Sequence, residues 1–100
     1  MTGDNARAFQ VRRNDERSRY EAFLGADRIG FADFHEVGRA VVLPHVEIDS
    51  RHEGNGYASG LTRLMLDDLR SRGVTSVVPQ CPYVQAWLAK HPPYQDLSGS

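Results

Sequence analysis

The stretch RHEGNGYASGL, Arg51 to Leu61, constrains the fold more than any other part of the chain. Before it lies the most apolar run, AVVLPHVEID from Ala40 to Asp49, which reads as a strand. After it the period changes. Tyr57, Leu61, Leu64, Met65 and Leu69 recur at three- and four-residue spacing, so an amphipathic helix is expected, with Arg63, Asp67 and Arg70 on its wet side. Three glycines, Gly54, Gly56 and Gly60, fill the junction. A helix N-terminus presents unpaired backbone amides and a partial positive charge. Glycines ahead of it let the backbone come close to an anion, because no Cβ intervenes. A strand, a glycine-rich loop and a helix together make a phosphate-binding device in principle. A tight turn with close helix–sheet packing is the plainer alternative. The spacing fits neither G-x-x-x-x-G-K-[ST] nor G-x-G-x-x-G.

The flanking segments complete a mixed architecture. Residues 1 to 10 read as a loose leader that pairs only at its end, with 1–9 flexible. Tyr20 to Leu24 and Ile29 to Glu36 alternate around the turn-like Gly25-Ala26-Asp27-Arg28, a β-hairpin pattern. Glu36-Val37-Gly38-Arg39 reads as a second turn, which leads into the Ala40–Asp49 strand. Gly73 is a fitting helix stop, and Val74 to Val78 is a short β-branched strand. It follows a strand and a helix, so it should lie parallel to Ala40–Asp49. Pro82 suits the first position of a last helix running to about His91, with Val84, Trp87 and Leu88 on one face and Pro92-Pro93 as its stop. Strands come first, then β-α-β-α, within one domain spanning residues 1–100. The expected class is α+β.

Composition removes several functions. The 12 Lys plus Arg against 13 Asp plus Glu nearly cancel, and no basic stripe stands out, so nucleic acid is not the expected partner. No apolar run approaches a membrane span. Cys81 is the only cysteine, so no disulfide forms within the chain, and a reducing cytoplasm is the expected setting. His35, His52 and His91 share no ligand spacing with Cys81, and no metal is expected.

Read as R-x-x-G-x-G, the residues Arg51, Gly54 and Gly56 resemble the acyl-CoA pyrophosphate loop of the GNAT superfamily of N-acetyltransferases. The HVEID strand, the CPYVQAWLAKHPPY segment and the late Asp-Leu extend the likeness over roughly residues 10 to 97, toward the minimal YjdJ-like branch. The resemblance implies a mostly antiparallel sheet with one parallel β-α-β unit carrying the loop, plus a C-terminal helix. It implies acetyl-CoA as cosubstrate, held by Val46, Ile48, Arg51, His52, Glu53, Gly54, Asn55, Gly56, Tyr57 and Ala58.

It also implies transfer of an acetyl group to an amine. In strand register His45, Glu47 and Asp49 share one face while Val46 and Ile48 share the other. Glu47 is then the base and His45 the second choice, since an imidazole titrates near neutral pH. Pro44 donates no ladder hydrogen bond, so a bulge or splayed edge is expected there. Many members carry an Asn at the position of Cys81 and a tyrosine acid at that of Leu88. This chain departs from them, which leaves Cys81, beside a helix N-terminus, to protonate the leaving thiolate or to take the acetyl group itself. An inert core thiol is the alternative for Cys81, and Tyr83 is a lesser candidate donor. Trp87 reads as core. There is no room for the two helices that build the acceptor pocket in larger members. The acceptor face is therefore open or completed by a partner chain, as monomer or homodimer, and the acceptor is an unidentified amine. A non-catalytic acetyl-CoA-binding module is the second hypothesis. An adaptor whose loop merely turns the chain is a remote third.

Overall fold

A computed structural model describes residues 8–98. Five strands form one sheet in the order β1-β2-β3-β4-β5. They are β1 Phe9–Asn14, β2 Arg19–Leu24, β3 Asp27–Val37, β4 Ala40–Ile48 and β5 Ser76–Pro79. The first four run antiparallel to their neighbours, and β5 pairs parallel with β4. Two helices, α1 Tyr57–Ser71 and α2 Pro82–Ala89, complete the expected β-α-β-α order. The leader expected over residues 1–9 lies mostly outside the described residues, and β1 begins at Phe9. A four-residue turn joins β1 to β2, with no helix between them.

One face of the sheet packs under the helices, and β1 and β4 alternate in burial accordingly. Tyr20, Ala22 and Leu24 of β2, Ala32 and Phe34 of β3, and Val41 and Leu43 of β4 are buried. Leu61, Met65, Leu66 and Leu69 of α1 and Val84, Trp87 and Leu88 of α2 share that core. Burial of this apolar surface is the main favourable term in folding, at about 25 cal/mol per Å². Leu64, grouped with the apolar face of α1 by spacing, is exposed, and Leu66 is buried instead.

Several element ends shift from expectation: β3 begins at Asp27, inside the expected turn, and α2 ends at Ala89 rather than near His91. The strand expected from Val74 begins at Ser76. Val74 is still part of the α1 terminus: its amide donates to the Leu69 carbonyl, and the amide of Gly73 donates to Arg70. These two bonds make a Schellman cap, which uses Val74 before the strand can start. Beyond α2 the chain stays on the core. Pro92–Ser98 forms a 3-10 helix that buries Tyr94 and Leu97.

A polar network ties the sheet to α1. The Tyr20 hydroxyl donates to Asp68 at 2.5 Å and accepts from Arg13 at 2.9 Å, and Arg72 donates to the same Asp68 carboxylate at 2.7 Å. Burial and the Asp68 bond push the Tyr20 phenol up to about 12. Burial alone would raise Asp68, but its bonds from Tyr20 and Arg72 outweigh this and hold it below the usual carboxylate value.

Candidate active site

β4 carries a bulge at the expected place. Asp33 pairs with His45 and His35 with Val42, so two steps along β3 match three along β4. The extra residue lies in the Val42–His45 segment, which contains Pro44. Side-chain phase flips across it. Val41 and Leu43 point into the core before the bulge, whereas Val46 and Ile48 are the inward residues after it. β5 pairs with β4 only from Ala40 to Leu43. Beyond Leu43 the two strands part. The Asp49 amide donates to the Ile29 carbonyl at 2.7 Å, on the β3 side. Alternation along the strand turns the amides of Val46 and Ile48 the other way, to the edge that β5 has left.

The chain leaves β4 through a short 3-10 turn, Ser50–His52, capped by the Asp49 side chain. It then enters α1 through the glycine loop. Gly56 is the N-cap of α1, with φ +80° and no side-chain cap bond. No Cβ clash explains glycine here, because a Cβ would meet nothing within 4 Å. The left-handed backbone itself does. The first bond of the helix runs from the Gly60 amide to the Gly56 carbonyl. The preceding amides of the first turn therefore stay open, with a positive helix end behind them.

These elements enclose a cleft of about 350 Å³ lined by Val46, Ile48, His52, Glu53, Gly54, Gly56, Tyr57, Ala58, Ser59 and Tyr83. Eight of the ten residues expected to hold the cofactor are among them. The other two are not. The side chain of Arg51 is 80 % exposed and pairs with Asp49 at 3.0 Å. The Asn55 side-chain Nδ2 donates back to the His52 carbonyl at 3.2 Å. Gly60, four residues past Gly56, serves packing, since an added Cβ would lie 3.0 Å from the Phe9 ring.

His45 and Glu47 stand together on the opposite face of β4, with His45 Nε2 3.0 Å from Glu47 Oε1 and both side chains solvent-accessible. Phe31 of β3 backs the imidazole, with ring centroids 5.8 Å apart. Glu47 borders a second hollow of about 510 Å³ with Phe31 and Asp49, and this hollow shares Ile48 and Glu53 with the first cleft. The two openings thus meet at the end of β4. Cys81 is the N-cap of α2, is 6 % exposed and does not line the cleft. Tyr83, two residues on, does line it and is 39 % exposed. Partial burial raises its phenol above the ordinary value, so the hydroxyl stays protonated and able to donate.

Sequence reasoning placed Tyr83 low and missed Ser59. Both follow from the topology, which sets the first turns of α1 and α2 against each other. The signal for Ser59 was its place three residues after the helix N-cap. Among the described residues, no group of three or more His, Cys, Asp or Glu comes together to hold a metal. Nor is any helix there long and apolar enough to cross a membrane.

A parallel β4-α1-β5 unit, a bulged β4 splayed from β5, and an uncapped helix behind a glycine loop define an N-acetyltransferase-type fold. Residues 19–97 match the family model described as GCN5-related N-acetyl-transferase, and the chain belongs to that family of acyltransferases. Solved structures share the fold. A GCN5-like N-acetyltransferase, named putative, from Staphylococcus aureus aligns with a TM-score of 0.68 at 15 % identity, over 97 % of this chain and 89 % of that one. The ribosomal-protein-S18-alanine N-acetyltransferase of Escherichia coli gives 0.63 at 17 % identity, over 72 % of this chain and 49 % of that one. The ribosomal-protein-alanine N-acetyltransferase of Brucella melitensis biovar Abortus 2308 gives 0.59 at 19 %, over 82 % and 61 %. The chain thus spans about half the length of the Escherichia coli enzyme. A comparison with curated proteins finds no matching sequence.

Proposed function

We propose that the chain is an acetyl-CoA-dependent N-acetyltransferase acting on an amine, in a reducing cytoplasm where its single thiol stays free. One observation carries this reading: the uncapped α1 N-terminus and the parted β4 edge open into the same cleft. The amides of the Gly54–Ser59 segment would receive the diphosphate of the cosubstrate. The free amides of Val46 and Ile48 would pair with its pantetheine arm. Acetyl-CoA supplies the activated thioester. Glu47, assisted by His45, takes the proton from the attacking amine at the end of β4. Tyr83 is the better placed of two donors to return a proton to the departing sulfur, because it reaches the cleft. Cys81, buried at the N-cap, is the second. The tight β1–β2 turn supports placement in the minimal YjdJ-like branch, since it leaves the acceptor side open.

A binding module without transfer remains the competing function. An amine screen by release of free CoA thiol separates them. Thiol release that tracks one class of amine supports the enzyme. Slow hydrolysis alike with every amine would contradict it. Thermal stabilisation by acetyl-CoA but not by AMP is expected under either.

A further inference from the structure

The single tryptophan lies where the two walls of the cleft are joined. Trp87, the sixth residue of α2, is 4 % exposed and belongs to the core. His91 stacks on its ring with centroids 3.7 Å apart, and the Arg63 guanidinium of α1 stands 5.5 Å from the ring centroid. Packing of that kind fixes an indole without any hydrogen bond. Yet Trp87 Nε1–H donates to Ser59 Oγ at 2.8 Å. Ser59 sits in the first turn of α1, whose amides open into the cleft. Tyr83, one helical turn before Trp87, is part of the same lining.

We propose that Trp87 is a positioning residue for CoA: its bond to Ser59 holds the first turn of α1 against α2 before the ligand arrives. The inference rests on the cleft being the CoA site. The physical need is plain. A helix that starts from a glycine with no side-chain cap has a loose first turn, and any ordering left to the moment of binding subtracts from affinity. The indole bond supplies that ordering in advance. It can improve affinity by no more than its own net strength, a factor of about three to ten. Linkage also makes the effect reciprocal, so ligand binding should tighten the bond around the indole.

The test is calorimetric titration of CoA into the full chain and into Trp87→Phe, Ser59→Ala, Ser59→Thr and the Trp87→Phe/Ser59→Ala pair. Trp87→Phe, outside the cleft, should weaken binding about three- to tenfold, and so should Ser59→Ala. The pair should be no weaker than the worse single variant, because both remove one bond. Ser59→Thr, which keeps the hydroxyl but adds a methyl in the cleft lining, should lose less affinity than Ser59→Ala. Trp87 emission should change on CoA saturation in the parent and in Ser59→Thr but not in Ser59→Ala. If Trp87→Phe does not fold, the Ser59 variants and their emission decide alone. Normal parent binding with Trp87→Phe within twofold, losses that multiply in the pair, or an unaltered emission response in Ser59→Ala would overturn the positioning role alone. A parent chain that takes up no CoA would overturn the CoA site itself.

Discussion

The carbonyl of Leu43 accepts the backbone amide of Cys81 at 3.1 Å, and this is where β4 and β5 part. The same oxygen also accepts the Gln80 amide. Cys81 thus anchors α2 to the sheet through its backbone, independent of its thiol. Cys81→Ala should therefore leave CoA affinity within about twofold, and Tyr83→Phe should lower turnover about 10²-fold as a lost general acid. Steady-state kinetics of the two variants checks this. A larger loss in Cys81→Ala than in Tyr83→Phe, or an acetylated Cys81 found by mass spectrometry, would move the chemistry to the thiol.

Glu47 and His45 face away from the cleft at the α1 N-terminus, so their proposed roles are separate from CoA binding. Glu47→Gln should lower transfer about 10²-fold while CoA binding persists, and His45→Ala should cost less. Kinetics paired with titration of CoA reads both quantities. Full activity in both variants would place the base elsewhere.

The Tyr20 phenol titrates near 12 in the fold, above its value of 10.0 when free. A raised folded value means that the stabilisation is present below about pH 10 and is lost as pH rises toward 12. Unfolding midpoints should fall across that window, and Tyr20→Phe should flatten part of the fall. Tyr83 and Tyr94 are also raised, the second mainly by its bond to Asp67, so some slope should persist. At neutral pH the variant should lose about 1–3 kcal/mol, since Asp68 and Arg13 both lose a partner. Denaturant titration against pH measures both effects.

Two glycines should fail differently. A Cβ on Gly30 would sit 2.5 Å from the Glu47 carbonyl oxygen and 2.6 Å from Ile48 Cδ1. Because part of that neighbour is backbone, Gly30→Ala should cost about 3 kcal/mol or more and distort the end of β4. Gly56→Ala meets no atom but must hold φ +80°, a strain of about 1–2 kcal/mol. It should also weaken CoA binding by disturbing the loop. Thermal melts and CoA titration of the two variants distinguish clash from strain.

Most of the fold was legible because its signals are local. The Gly25 and Gly38 turns, the Gly73 stop, Pro82 at the start of α2 and the change of period at Tyr57 each act within a few residues. The Pro44 bulge was readable for the same reason: a missing amide is a property of one residue. What escaped depended on distance. Leu64 and Leu66 exchange places because the direction from which the sheet approaches α1 is set by tertiary packing. Ser59 and Tyr83 meet only after α1 and α2 are docked. Arg51 fits the loop motif, yet its side chain is held by Asp49, which a spacing pattern cannot express.

The most direct test of the central claim is a titration of CoA followed by backbone amide NMR. The account predicts saturable shifts that are largest at the amides of Gly54, Asn55, Gly56, Tyr57, Ala58 and Ser59, with smaller ones at Val46 and Ile48. Saturation with those six amides unmoved, and the shifts confined elsewhere on the chain, would contradict it.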